Sequence, residues 1–258
     1  QCHAEMEIND TQVLRTSGSL ADMWFDVASH ARRWLDAHGI AALDACVLLP
    51  FAELLAPAKR AFAVGGGWLP RIHTTQTLSR ELAPPAAPED AAPSGDAAID
   101  ALLAGRLLRE QAWGREWSRR DAGAFEHAVS RVVRTAHVLM RGAQAVDPAA
   151  RDDYWARARA AALPGAGLDR GLLRAAVEWA ALSGTPPTDV LFAHRPSAWI
   201  VIQIGGEDAL ARALLQQGRV PSLNLALDAG SDDPFDVPLG VGAIELLDAV
   251  DGEGEAMA

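Results

Sequence analysis

Two short apolar runs constrain the fold of this chain more than any other feature. The first is Asp44-Ala-Cys-Val-Leu-Leu49, ended by Pro50; the second is Ala198-Trp-Ile-Val-Ile-Gln-Ile204, ended by Gly205-Gly206. Runs this short and this continuously apolar fit strands buried on both faces, the situation of a parallel sheet covered by helices on either side. Helical spacing surrounds both. Ser19 to His38 reads as an amphipathic helix, with Ser19 as its cap, Met23, Trp24, Val27, Ala31 and Trp34 on one face, and Gly39 as its stop. Phe51 to Val64 returns to helical spacing with Pro57 as an irregularity, and Glu207 to Gln217 follows the second run. Trp68 to Ile72 is a short extended piece and His73 to Leu82 opens another helix; Val220–Leu227 and Ala243–Val250 are further strand candidates.

Between the two runs the pattern changes. Residues 83–96 are a Pro/Ala-rich linker, and 97–184 carry no strand signal. That stretch reads as about four helices, near 97–117, 121–145, 148–162 and 168–183, with Asp121 and Asp147 as N-caps and Pro164-Gly165 and Gly167 as breakers. Its four Trp (Trp113, Trp117, Trp155, Trp179) are expected to pack between helices, with base stacking as the minor alternative. The predicted class is α/β, a doubly wound, mostly parallel sheet with an all-helical insertion. The expected organisation is 1–96 as the first part of the α/β domain, 97–184 as the insertion and 185–258 as the second part.

Side-chain chemistry excludes more than it admits. Lys and Arg total 23, yet the only Lys is Lys59, in Leu55-Ala-Pro-Ala-Lys-Arg60. A phosphate-binding Gly-Lys-Ser/Thr loop therefore has no lysine to use, and neither an ATP nor a Mg²⁺ site is expected. Thr16-Ser17-Gly18-Ser19 stands where such a loop would stand and reads at best as a decayed one. Gly65-Gly66-Gly67 follows a helix instead of a strand, and Glu207 and Asp208 after Gly205-Gly206 would repel phosphate. There is no Gly-x-Ser-x-Gly elbow and no His-Glu-x-x-His. A two-metal nuclease centre needs an acid two residues before its lysine, and position 57 is Pro. Cys2 and Cys46 cannot frame a disulfide core or a Cys-rich metal site, and Cys46 reads as a buried thiol of a reducing, cytoplasmic protein. No apolar run approaches the ~18 residues of a membrane span. The chain begins at Gln1 without a signal-peptide core and ends without a closing element, so a fragment of a longer protein is expected.

Net charge is −11, but it is segregated. From Arg106 to Arg159 eleven Arg stand against seven acids, whereas nine acids and no base follow Arg219. Helix surfaces laced with Arg–acid pairs explain the middle block, and a DNA-facing stripe is the alternative.

The stretch Val47-Leu-Leu-Pro-Phe-Ala-Glu-Leu-Leu-Ala-Pro-Ala-Lys-Arg-Ala-Phe62, followed by Gly-Gly-Trp-Leu-Pro-Arg-Ile-His-Thr-Thr-Gln-Thr-Leu78, resembles the opening of proteobacterial AddB-like proteins. These are RecB-family exonucleases of double-strand-break repair. Ala198–Gly206 and the acidic Asp251-Gly-Glu-Gly-Glu-Ala256 fit the same resemblance. It implies a superfamily-1 helicase-like domain with a helical insertion, in a subunit half that guides DNA and scaffolds a partner helicase-nuclease subunit without a working ATPase. The family's PD-(D/E)XK nuclease domain and iron–sulfur cysteines are missing from these residues and would follow Ala258 in a longer parent. The resemblance places Lys59, Arg60 and Arg71, with Thr74 and Thr75, where such helicases contact the phosphate backbone of single- or double-stranded DNA; Arg71 is equally suited to pairing with a carboxylate. Two rival readings remain: a protein-interaction domain whose helical block docks a partner subunit without binding DNA, and a stand-alone nucleotide-binding enzyme.

Overall fold

The structure, a computed structural model, describes residues 9–16, 19–83, 91–163 and 167–229. Those up to Asp228 belong to one compact unit. Five strands, β1 (Asn9–Thr16), β2 (Ala45–Leu48), β3 (Arg71–His73), β4 (Ala198–Gln203) and β5 (Ser222–Ala229), form one sheet in the order β1-β5-β4-β2-β3. All neighbours run parallel. Val47 lies beside Ile72 on one side and Ile200 on the other, and Ile200 beside Leu223. On β1, the Ser222 hydroxyl donates to Asn9 Oδ1 at 2.9 Å and Arg15 approaches Asp228 at 4.0 Å, which sets its direction along β5.

Strand alternation divides the core in two. Ala45, Val47 and Leu49 share a face with Ile200 and Ile202, and α1 (Leu20–Ala37) and α2 (Leu55–Val64) cover that face with Trp24, Val27, Leu35 and Phe62. Cys46, Leu48, Trp199 and Val201 point the other way, under α3 (Thr75–Leu82), α9 (Asp189–Ala193) and α10 (Ala209–Gln216). The reason is the handedness of crossovers. From β1 through β3 the chain crosses the sheet in one direction, and from β3 to β5 it returns. A right-handed connection must therefore change faces at β3. Helices on both faces and a parallel sheet are the α/β class read from the two apolar runs.

α1 begins as expected: the Ser19 hydroxyl accepts from Asp22 N–H, and the Asp22 carboxylate accepts from Ser19 N–H at 3.0 Å. Pro57 falls in the first turn of α2, where no intrahelical N–H bond is lost, so the helix is not broken there. Four features differ from the sequence reading. β1 was not expected, because Asn9-Asp-Thr-Gln12 carries no apolar run; as an edge strand it covers the sheet with Leu14 alone partly packed. α9 was too short to leave a periodic trace. The extended piece at 68–72 becomes a strand only from Arg71. The helix expected over 97–117 is two, α4 (Ala97–Glu110) and α5 (Ala112–Arg120). At their junction the chain doubles back so closely that a Cβ on Gly114 would sit 1.9 Å from the Leu108 carbonyl oxygen. The strand expected at 243–250 lies outside the described residues.

The remaining helices are α6 (Ala122–Gln144), α7 (Arg151–Ala161) and α8 (Leu168–Ala181). With α4 they enclose a second core around Leu108, Phe125, Val132, Trp155, Leu172 and Trp179. Trp117 packs edge-on against Phe125 at 5.9 Å, whereas Trp113 stays 39% exposed. This helical block is tied to the α/β layers by Arg151. Its guanidinium grips Asp189 of α9 with two bonds, Nη1–Oδ2 at 2.5 Å and Nη2–Oδ1 at 2.6 Å. It also donates to the carbonyls of Ala143 and Val146. The two side chains are only 11% and 14% exposed, so the pair is shielded from water. Next to it, the Gln217 amide donates to Asp147 Oδ2 at 2.5 Å.

Removing one member of a buried pair leaves the other charge without compensation. Asp189→Ala is therefore expected to lower the unfolding free energy by about 3 kcal/mol in urea titrations. The Arg151→Met/Asp189→Leu double variant, which buries no charge, is expected to lose less than Asp189→Ala alone. An unchanged urea midpoint in Asp189→Ala shows that this pair does not hold the block.

Candidate functional site

In an open parallel sheet the ligand crevice lies beyond the carboxyl ends of adjacent strands whose helices leave to opposite faces. Here those strands are β2, followed by α2, and β4, followed by α10. Pro50 and Phe51 leave one strand; Gly205, Gly206, Glu207 and Asp208 leave the other. Gly205 has φ +65° and Gly206 φ +153°, and this backbone lets the chain turn after β4 toward α10, which starts at Ala209.

The helix ends at this edge are already occupied by the protein's own groups. Asp208 caps α10: its Oδ1 accepts from Leu210 N–H at 2.9 Å and Ala211 N–H at 3.3 Å. Its other oxygen accepts from the Thr75 hydroxyl at 2.8 Å, so the start of α3 is bound to the start of α10 past the end of β2. Glu207 is engaged by Arg212 at 2.7 Å. A phosphate at α10 would have to displace a carboxylate and face a second one. The start of α1 is held in the same way by Ser19 and Asp22, whose carboxyl is kept below its ordinary range by the bonds from Ser19.

The five residues expected to meet DNA are not gathered at one place. Thr74 is buried as the N-cap of α3, accepting from Thr77 N–H at 3.1 Å, and Thr75 is buried on Asp208. Arg71 is exposed at the amino end of β3, three residues from Thr74, a distance of roughly 10 Å along a strand. Lys59 and Arg60 are both exposed on α2 but lie about 100° apart around it. The Lys59 charge acts on His73, and Arg60 lines a groove beside α1. Lys59 and Arg71 both act electrostatically on His73, the one from α2 and the other from the same strand. Burial depresses the pKa of that imidazole; Glu81, 3.4 Å away, opposes the shift, and Lys59 and Arg71 add to it.

Two other clusters have the composition of a catalytic site without its geometry. Cys46 Sγ lies 3.9 Å from His194 Nε2. Burial pushes the Cys46 thiol up to about 11, and the same cause, with Arg71 and Arg195, lowers the His194 pKa. A neutral thiol beside a neutral imidazole is not an activated nucleophile. The second cluster is Ser94, Asp100 and His137, which the sequence reading missed. Asp100 is fully buried, and its carboxylate accepts from Ser94 N–H (2.7 Å), Ser94 Oγ (2.9 Å), Gly95 N–H (2.9 Å) and His137 Nε2 (2.6 Å). The serine hydroxyl is spent on the carboxylate and not on the histidine, so no base activates it. What the cluster does is anchor residues 94–96 to α4 and α6. Its one trace in the sequence is an aspartate four residues before Ala104 on the buried stripe of α4.

Among the described residues no group of three or more His, Cys, Asp or Glu could hold a metal ion, and no helix is long and apolar enough to cross a membrane. No family model, curated protein or solved structure matches the chain.

Burial raises the Asp100 carboxyl, but the donors from Ser94, His137 and Gly95 outweigh it, and its pKa in the fold lies below 3.8. A depressed carboxylate stabilises the fold above its unfolded pKa, and that contribution is lost as pH falls through the lower, folded value. Asp100→Asn is expected to cost about 2 kcal/mol at pH 7 and to flatten the decline in stability below pH ~4. Urea midpoints between pH 2 and 7 test both, and an acid limb as steep as in the unaltered chain removes Asp100 as its cause.

Proposed function

We propose that this chain is the noncatalytic, helicase-like region of an AddB-like DNA double-strand-break repair exonuclease, which guides DNA and scaffolds a partner helicase-nuclease subunit. The observation that carries this reading is a parallel sheet with helices on both faces, split between β3 and β4 by a helical block, whose helix starts are capped from within. Such an edge retains the architecture of a nucleotide-binding sheet while its own carboxylates take the phosphate positions at α1 and α10. The reading therefore assigns neither ATP nor Mg²⁺ to this chain. Lys59 and Arg71, both exposed and without an ion-pair partner among the described residues, are its phosphate contacts. Thr74 and Thr75 support them by fixing the turn after β3.

A second reading, docking of a partner subunit by the helical block without DNA binding, has its own observation. A groove of about 490 Å³ opens between α5 and α8, lined by Trp113, 39% exposed, and Leu182, 55% exposed.

Binding of labelled single-stranded oligonucleotides across a salt series separates the two. The first reading expects affinity to fall steeply with salt, and Lys59→Glu and Arg71→Glu each to weaken binding for all sequences and lower the log–log salt slope by about 1. Binding that is undetectable, or insensitive to salt and to both substitutions, overturns DNA guidance and leaves partner docking.

A further inference from the structure

The helical block and the α/β layers are joined without a common core. The residues that pack around Leu108, Phe125, Val132, Trp155 and Trp179 all lie between Ala101 and Ala181. Both cores of the sheet use residues up to Leu82 and from Val190 onward. Among the described residues no helix of the block packs along a helix or strand of the layers. The chain just before α4 belongs to the block as well. Trp179 Nε1–H donates to the Ala91 carbonyl at 2.9 Å, and Asp100 accepts from Ser94 and Gly95.

The join is a single polar corner. The turn from α6 to α7 carries Asp147 and Arg151; the layers answer with Asp189 at the start of α9 and Gln217 at the end of α10. The charge of Arg219 also acts on Asp147. The chain leaves the block at the same corner, where residues 182–188 run from α8 to Asp189 and Gly184 turns with φ +66°. Pivot and clasp therefore coincide.

Opening this corner exposes little apolar surface, so the hydrophobic effect does not oppose it. The Arg151 guanidinium keeps its bonds to the Ala143 and Val146 carbonyls, which belong to the block, and exchanges Asp189 for water. A small polar junction between two separately packed parts leaves relative motion as the default, where a large apolar interface would prevent it.

We propose that the block of α4 to α8 is a hinged arm, turning as a rigid body about the Asp147–Arg151 corner, with Asp189 and Gln217 as the clasp that holds it closed. Any ligand that touches both parts then selects one orientation. The inference rests on neither DNA guidance nor partner docking.

The test measures distances between pairs of spin labels on the full chain carrying Cys2→Ser, Cys46 being too buried to react. One pair, at Ala63→Cys and Ala124→Cys, spans the two parts at exposed positions. Ala124 lies about 20 residues of α6, or about 30 Å, from the corner, so a turn of about 20° moves it by roughly 10 Å. The other pair, at Ala124→Cys and Ala156→Cys, lies within the block. Asp189→Ala/Gln217→Ala removes the clasp from the side of the layers and changes no residue of the block. It is expected to broaden the first distance distribution about twofold or more and to leave the second unchanged, with the near-UV circular dichroism of the tryptophans retained. An unchanged first distribution overturns the proposal, because the junction is then rigid without its clasp. A change in both pairs overturns it too, because the block has then loosened instead of turning. Should the double variant lose its near-UV signal, Gln217→Ala, which leaves the ion pair whole, decides: broadening of the first pair alone supports the arm, and an unchanged distribution overturns it.

Discussion

The pairing of β2 with β4 is the contact on which the rest of this fold depends. Ala45 lies beside Ala198 and Leu48 beside Val201, with the entire helical block between them in the chain. Closing an excursion of that length costs roughly 4 kcal/mol of chain entropy. Both strands offset it by being buried on both faces. Each fully buried Val, Leu or Ile returns about 1.5–3 kcal/mol, and Val47, Leu48, Ile200, Val201 and Ile202 are all at 3% exposure or below. The central pair is therefore stable despite the insertion, and the helices on either face pack against it.

The same arrangement decides where chemistry is possible. Because β3 reverses the direction in which the chain crosses the sheet, the helices after β2 and β4 leave on opposite faces and open a crevice at their carboxyl ends. In many parallel sheets that position receives a phosphate. Here Asp208 serves two helices at once, capping α10 and receiving the Thr75 hydroxyl. A side chain that satisfies the donors a ligand would need turns a binding edge into a structural joint. Polar groups are also directed inward at Asp100 and Arg151, each of which joins neighbours in the chain to one distant partner, His137 and Asp189. Lys59, Arg60 and Arg71 are among the exposed cations that form no ion pair among the described residues, and Arg60 has apolar neighbours on α1 and α2.

Much of the architecture was legible beforehand, for a physical reason. A strand buried on both faces must be apolar at every position, and a helix covering it must repeat apolar residues every three or four, so 45–48, 198–203 and the stripe of α1 declare themselves. Local caps were equally legible at Ser19 and Asp121, because a cap is an interaction within one turn. β1 was not legible, since an edge strand needs little burial and β1 is polar along most of its length. The break between α4 and α5 was not legible either, because helical spacing continues through it; the chain turns at Gln111, whose backbone is extended, and Gly114 then lies where a side chain would clash with the Leu108 carbonyl. The candidate DNA contacts were carried over from the resemblance, yet Lys59 and Arg60 lie about 100° apart around α2 and the two threonines are used internally.

The sequence by itself determined the class of the fold, the helical nature of the block between the two apolar runs, and the lack of a phosphate-binding lysine loop. These follow from periodicity and from which side chains exist, and both are properties of the chain alone. Only the tertiary structure decided that Asp208 closes the crevice, that Arg151 finds Asp189, that Asp100 gathers four donors, and that Arg60 stands over an apolar groove. Each of these joins residues far apart in sequence, or picks one side of a helix over the other, and such choices are made by packing once the sheet has brought the elements together.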